Sequence, residues 1–233
     1  MREIVQNWHG ATLRHEMLGG DERLRPGVIL FPTVMGVTDL ERGFAQRLVA
    51  RGYSAMVADL YGRRFTPGVD REAAFAAAHA VADDRAAMRE MLLAVLDEAR
   101  AQDEIDESRV AAIGFCFGGQ NALDLARSGV AIAGVASFHG LFEPPGLPPQ
   151  PIKAKVAAYH GWDDPMATPD AVVALGKELT EAGCDWQIHA YGQVAHGFTN
   201  PGATGAVPGV LFDEQAARRA WRSCDDFLGE CFA

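Results

Sequence analysis

Short apolar segments alternate with longer amphipathic ones along most of the chain. The segment 28–31 (VILF) lies between Pro26-Gly27 and Pro32, which is typical of a buried strand. Residues 39–51 then place apolar side chains at helical spacing and end before Gly52. Further strands are predicted at 53–58, 110–115, 131–138, 156–160 and 186–191, and further helices at 70–79, 81–102, 119–129, 169–182 and 213–228.

This alternation predicts an α/β fold, with a mainly parallel sheet covered by helices on both faces. Segments 4–8 and 12–18 alternate apolar and polar residues, so we expect an antiparallel hairpin at one edge of the sheet. Thr168 is predicted to cap the helix that follows it. The proline-rich segment 141–151 is predicted to be a loop. In such folds the chemistry gathers beyond the carboxyl ends of the strands.

Composition narrows the class of protein. The 233 residues are 48% hydrophobic, which suits one domain spanning 1–233, and the net charge of −10 disfavours nucleic acids and anionic membranes as partners. No apolar run reaches the length of a membrane span, and the first residues lack the pattern of a signal peptide. The four cysteines show no CxxC spacing, so reduced thiols and a cytoplasmic location are expected.

One turn carries the candidate chemistry. The stretch AIGFCFGGQ (112–120) joins a predicted strand to a predicted helix and matches G-x-nucleophile-x-G, with Cys116 in the nucleophile position. Glycines flank such a residue because side chains there would collide with neighbouring backbone. The helix amino terminus favours a thiolate, and the N–H of Phe117 faces a developing oxyanion. The alternative is a buried cysteine in a glycine-rich turn.

A nucleophile of this kind needs a base and an acid, and two later turns offer them. HGWDDP (160–165) follows a strand and contains Asp163 and Asp164, while AHGF (195–198) follows the last strand and contains His196. The order cysteine, aspartate, histidine is that of the α/β-hydrolases. The alternative for each of these residues is an ordinary structural role in a turn. Their joint occurrence after three separate strands favours the catalytic interpretation.

Two further histidines end strands and precede glycines, His139 and His160. With an aspartate they form a conceivable metal set, but their spacing matches no known zinc motif. Packing near the site is therefore the favoured interpretation, and no metal and no cofactor are expected.

The chain resembles the dienelactone hydrolase family from about Gly27 to Leu228. The resemblance rests on GFCFGG (114–119), ADLYGR (58–63), HGWDDP (160–165) and AHGF (195–198). It implies hydrolysis of a small ester or lactone by a triad of Cys116, Asp164 and His196, through a thioester. The family's G-x-x-D spacing selects Asp164 over Asp163.

The resemblance also assigns the surroundings of the cysteine. It places a second oxyanion donor at the backbone N–H of Val34 and puts Thr33 where well-studied members have a glutamate that interacts with the resting cysteine. Asn200 stands where those members have a substrate-binding arginine. Arg71 matches a second such arginine, or is a solvated helix residue. With these changes, a neutral or differently charged ester or lactone is expected rather than dienelactone itself.

Six residues complete the predicted substrate pocket besides Phe117 and the 141–151 loop: Thr33, Met35, Arg71, Phe115, His139 and Phe198. The segment 199–212 beside His196 is either a mobile lid or a connection to the last helix. Two other functions stay open: a thiol-based acyltransferase or redox protein, and a catalytically weak binding module on the same fold. A monomer or a small homo-oligomer is expected.

Overall fold

The computed structural model describes residues 1–19 and 23–233 and contains an eight-stranded sheet with helices on both faces. The strands are β1 (Arg2–Trp8), β2 (Ala11–Leu18), β3 (Arg25–Phe31), β4 (Ser54–Val57), β5 (Ile105–Phe115), β6 (Gly134–Phe138), β7 (Lys155–Gly161) and β8 (Trp186–Tyr191). The helices are α1 (Asp39–Ala50), α2 (Arg71–Ala82), α3 (Arg85–Arg100), α4 (Phe117–Arg127), α5 (Pro169–Glu181) and α6 (Glu214–Cys231). The predicted α/β class is confirmed.

The order across the sheet is β1-β2-β4-β3-β5-β6-β7-β8. β1 and β2 form the predicted antiparallel edge hairpin, and β2 pairs antiparallel with β4. Every other pairing in this order is parallel. The carboxyl ends of β3, β5, β7 and β8 therefore meet at one edge, and the loops that follow these strands carry the candidate site residues.

Alternation along the central strands divides the core into two layers. Val28 and Leu30 of β3 pack with α1 and α6, whereas Ile29 and Phe31 pack with the layer that contains α3, α4 and α5. All four side chains are fully buried. Because both faces of the sheet are covered, the strands are almost continuously apolar, which is what made them visible in the sequence.

Several boundaries differ from the predictions. β5 begins at Ile105 instead of 110, because a register shift next to Pro26 accommodates the polar residues 107–109 as an irregularity in the strand. The second long helix begins at Arg85, since the Asp84 side chain accepts hydrogen bonds from the backbone of residues 86 and 87. β6 begins at 134 instead of 131.

Two helix starts also differ in detail. α4 begins at Phe117, two residues before the predicted start, because Cys116 itself is the capping residue. Thr168 does precede α5, with Pro169 as the first helical residue, but its side chain makes no capping hydrogen bond. The proline instead supplies a backbone angle that already suits the first turn.

A buried histidine links the edge hairpin to β4. The Asp59 N–H donates to Nδ1 of His15 at 3.0 Å, so Nε2 carries the proton and donates to Gln6 at 3.0 Å. Burial lowers the pKa of His15 to about 4; the charge of Asp59 opposes this shift and that of Arg64 adds to it. The folded state therefore keeps this ring neutral over a pH range in which the unfolded chain protonates it.

We expect His15 to make folding acid-sensitive. Its contribution is complete above the unfolded pKa of 6.5, falls as the pH drops towards about 4, and levels off below that value. The loss amounts to roughly 3 kcal/mol between pH 7 and pH 4. Urea unfolding of His15→Gln at both pH values tests this. The variant should lose about that much less stability than the wild type on acidification, and an equal loss would contradict the assignment.

Within the described residues, none of the helices combines the length and the apolar composition needed to cross a membrane.

Candidate active site

Cys116 lies in a sharp turn between β5 and α4. Its backbone adopts φ 56° and ψ −118°, a positive φ that residues other than glycine seldom have. A Cβ atom added at Gly114 would lie 1.9 Å from the Gly118 carbonyl oxygen. The predicted reason for the flanking glycines is thereby confirmed: the turn closes on itself with no space for a side chain.

Gly118 also brings the start of α4 against the end of β3. A Cβ atom on Gly118 would lie 2.1 Å from the Phe31 carbonyl oxygen and 2.5 Å from that of Pro32. This contact places Phe117 next to the loop that contains Val34. Across the residues that the structure describes, neither of these two N–H groups donates a backbone hydrogen bond. Two free donors thus stand beside the cysteine.

His196 and Asp164 form a buried pair. Nδ1 of His196 lies 2.7 Å from Oδ2 of Asp164, and the other carboxylate oxygen accepts the Met166 N–H at 2.8 Å. Asp163 is exposed, whereas Asp164 is buried. Burial therefore distinguishes the two candidate aspartates, which the residue pattern alone did not.

The backbone of His196 is held on both sides. Its N–H donates to the Gly209 carbonyl at 2.9 Å, and its carbonyl accepts the Leu211 N–H at 3.0 Å. These bonds form a short bridge between 196 and 210. Much of the 199–212 segment is therefore tied to the histidine it follows, and Val207 and Val210 line the cavity in front of Cys116.

Electrostatics couple His196 to the cysteine. Burial alone lowers the pKa of His196, but the charge of a Cys116 thiolate and the hydrogen bond to Asp164 outweigh it and raise the pKa to about 10. His196 Nε2 is buried and has no well-formed hydrogen bond to any other described residue. The ring thus presents its second nitrogen to the sulfur side of the site, and facing a thiolate it is protonated at neutral pH.

Two buried histidines surround the pair. His139 packs edge-on against His196, with 5.1 Å between ring centroids, and its Nε2 lies 2.8 Å from the Thr199 hydroxyl. Burial holds the pKa of His139 well below its ordinary value and lowers that of His160 as well. Both rings are therefore neutral at pH 7. In the described part of the chain, no three His, Cys, Asp or Glu side chains have the arrangement of a metal site.

A cavity of about 530 Å³ opens in front of Cys116 and His196. Seven further residues that the sequence analysis named line it: Thr33, Val34, Met35, Arg71, Phe117, His139 and Asn200. Arg71 is exposed, with its guanidinium 5.5 Å from the Phe75 ring centroid. The cavity walls are mainly apolar, with few charged groups.

The structure corrects the expectation that Phe115 and Phe198 line the cavity. Phe115 shares the strand face of Ile113, so it points into the α1–α6 layer and stacks on Phe44 at 4.3 Å between centroids. Phe198 is fully buried and packs edge-on against His139 at 5.2 Å. For Phe115 the reason is the alternation of β5, because neighbouring residues of a strand point to opposite faces.

Other cavity residues were not foreseen. They include Arg85 and Gln120, together with Phe75, His79 and Met166. Arg85 is paired with the buried Asp124, 2.5 Å away, so most of its charge is compensated. The helical position of Gln120, one turn after Cys116, was the available signal for that residue.

A buried carboxylate lies behind the cavity, although Thr33 occupies the position of the family's glutamate. Glu41 of α1 is fully buried, and its Oε1 accepts both the N–H and the hydroxyl of Thr33, at 3.1 and 2.9 Å. The sequence analysis missed Glu41, because it reads as an ordinary helix residue three positions after a capping threonine.

Comparison with known proteins shows the family of the chain. The model of the dienelactone hydrolase family matches residues 16–232. The chain belongs to the dienelactone hydrolase family. It is 35% identical to the solved structure m3DLH, with a TM-score of 0.89 and coverage of 100% of this chain and 98% of the other. These matches confirm the resemblance, and they support an ester or lactone hydrolase acting on a small molecule.

Two other relatives have functional names. The chain is 31% identical to the dienelactone hydrolase-like promiscuous phosphotriesterase P91 from metagenomic libraries, with a TM-score of 0.87 and coverage of 100% and 98% of the two chains. A putative carboxymethylenebutenolidase of Saccharolobus solfataricus is 22% identical over 97% of both chains. The matches to these two relatives cover 97% or more of this chain.

Proposed function

We propose that the chain hydrolyses a small carboxylic ester or lactone through a thioester on Cys116, with His196 as base and Asp164 as its orienting acid. One observation carries this proposal: the 2.7 Å contact between Asp164 and His196, whose other ring nitrogen is unoccupied, in the cavity that holds Cys116. The positive φ of Cys116 supports a nucleophile held out above the sheet edge.

Acylation begins when the thiol proton passes to Nε2 of His196. The thiolate then attacks the ester carbonyl carbon, and the carbonyl oxygen becomes an oxyanion. The free N–H groups of Phe117 and Val34 stabilise that charge; one such donor typically contributes roughly 3 kcal/mol. The ester C–O bond breaks, and the leaving alkoxide takes the proton from His196. In a lactone that alcohol stays attached to the acyl group.

Deacylation uses the same groups with water. Neutral His196 takes a proton from water, the hydroxide oxygen attacks the thioester carbonyl, and the C–S bond breaks. The proton on His196 returns to the sulfur. The raised pKa of His196 supports this role, because it means that a thiolate beside the ring stabilises the imidazolium that forms when the proton is transferred.

The cavity suits an acyl group that is mainly apolar. Val34, Met35 and Phe117 line it near Cys116, while the exposed Arg71 stands at its rim without a described carboxylate partner. Asn200 contributes a neutral polar group in place of a second cation. We therefore propose neutral esters and lactones first, and substrates with a single remote carboxylate second.

A second candidate activity is hydrolysis of phosphotriesters, favoured by the 31% identity to the phosphotriesterase P91 over the full chain. The same thiolate and donors would serve a phosphoryl oxygen in place of a carbonyl oxygen. If a phosphotriester phosphorylates Cys116 and the phosphoryl group is not released, the compound is an inhibitor. That result would contradict this second activity.

Peptide mapping of the trapped intermediate tests the proposal. The protein is mixed with excess 4-nitrophenyl acetate, quenched in acid within the first turnover and digested. We expect one acetyl group on the peptide that contains Cys116 and none on the peptides of the other three cysteines. Acetylation elsewhere with steady hydrolysis would contradict the proposal. Product that forms only when a thiol or amine is added would favour an acyltransferase.

A further inference from the structure

Glu41 is a polar side chain buried in the first turn of α1. It is fully buried, and its two carboxylate oxygens accept four hydrogen bonds, all from two threonines. Thr33 donates its N–H and hydroxyl to Oε1, at 3.1 and 2.9 Å. Thr38 donates its N–H to Oε2 at 3.1 Å and its hydroxyl to the same atom through a short contact. A buried carboxylate is tolerated only with such compensation.

The two threonines bracket the loop that contains Val34. Thr33 also makes hydrogen bonds within this loop. Its carbonyl accepts the Gly36 N–H at 2.9 Å, and its hydroxyl accepts the Met35 N–H at 3.4 Å. With Thr33 held on both of its donors, the peptide that joins it to Val34 has little freedom to rotate. The hydrogen bonds between Thr33 and Glu41 therefore restrict the direction in which the Val34 N–H points.

Tyr61 holds the following peptide. Its hydroxyl donates to the Val34 carbonyl at 3.3 Å, and its ring packs against Gly36. Burial raises the pKa of Tyr61 far above its ordinary value, with the charges of Cys116, Asp59 and Glu41 acting in the same direction. The phenol therefore stays protonated and remains a donor. Val34 is thus restrained at both of its peptides.

We propose that Glu41 is a positioning residue for the oxyanion donor: through Thr33 it holds the Val34 N–H in the orientation that receives the carbonyl oxygen of the substrate. This inference rests on the proposed thioester mechanism. Glu41 acts on the reacting atoms only through the loop and touches neither sulfur nor substrate.

A purely structural role would be capping of α1. Thr38 and Glu41 form a capping box at the start of that helix, which by itself stabilises the fold by about 1 kcal/mol. That role makes no use of the contact between Glu41 and Thr33. The two roles therefore separate in variants that remove one contact at a time.

The test compares two reactions of Cys116. Attack on 4-nitrophenyl acetate builds an oxyanion, whereas alkylation by iodoacetamide displaces iodide from a saturated carbon and builds none. Glu41→Gln replaces an acceptor by an NH₂ group, and Thr33→Val removes the hydroxyl donor with little change of shape. We expect both variants to lower the acetylation rate about tenfold or more, with alkylation rates within about twofold of the wild type.

Thr38→Val is the control for capping. It removes a cap contact and leaves the contact between Glu41 and Thr33. It should therefore lower stability to urea, while the ratio of the acetylation rate to the alkylation rate stays close to that of the wild type. If Glu41→Gln fails to fold, Thr33→Val decides the question. A wild-type ratio in Glu41→Gln, or an equal fall in Thr38→Val, would overturn the positioning role alone. A wild type that never acetylates Cys116 would overturn the thioester mechanism and this inference with it.

Discussion

Cys116→Ala is expected to lower kcat/KM for ester hydrolysis by about 10⁴-fold or more. The variant removes the only protein atom that forms a bond to the acyl group in the proposed mechanism. It keeps Asp164, His196 and the oxyanion donors, so a small residual rate through water is expected. The half-buried side chain is small, and alanine at this position keeps the turn, so stability to urea should change little.

Cys184→Ala is the matched control. Cys184 is also a half-buried free thiol, but it lies after α5, where its sulfur contacts the Leu179 carbonyl at 3.5 Å. Burial raises its pKa, which makes it a poor nucleophile. This variant should hydrolyse esters at the wild-type rate. Equal losses in the two variants, or hydrolysis retained in Cys116→Ala, would contradict the nucleophile assignment.

Asp164→Asn is expected to lower kcat by about 10³- to 10⁴-fold. The carboxylate accepts the proton on Nδ1 of His196, which leaves Nε2 free to take the thiol proton. An asparagine amide in the same place can donate to Nδ1 and so stabilise the opposite tautomer, with the proton on Nε2. The variant also removes one of the causes that raise the pKa of His196.

Asp163→Asn controls for the change of charge in the same turn. Asp163 is the exposed neighbour, and the same substitution there alters the net charge equally. Steady-state rates with 4-nitrophenyl acetate across pH separate the two variants. We expect near wild-type kcat in Asp163→Asn. A loss of less than tenfold in Asp164→Asn would mean that Asp164 does not orient the base.

Much of the fold was predictable because its central strands are buried on both faces. Segments such as 28–31 are apolar throughout, and glycine and proline mark their ends. The turn at Cys116 was predictable for a steric reason, since Gly114 and Gly118 leave no space for a side chain. Asp164 and His196 were predicted because an aspartate and a histidine follow Cys116 in the order expected, each after a separate strand.

The missed features depend on contacts between distant segments. Glu41 carries no local sign that its carboxylate reaches Thr33, and Phe115 follows the alternation of β5 instead of the neighbouring cysteine. The start of β5 at Ile105 was hidden by polar residues that a register shift accommodates. Such features follow from tertiary packing, which a local pattern does not encode.

Rapid mixing of the enzyme with excess 4-nitrophenyl acetate tests the central claim most directly, because the amplitude of a burst gives the number of sites acylated per enzyme. The account predicts a burst of 4-nitrophenolate equal to the enzyme concentration, followed by steady turnover, with both phases lost in Cys116→Ala. Steady hydrolysis without a burst that is lost in Cys116→Ala would mean that deacylation is faster than acylation, so that the thioester does not accumulate. A full burst in Cys116→Ala, or steady hydrolysis at the wild-type rate in that variant, would contradict the thioester mechanism.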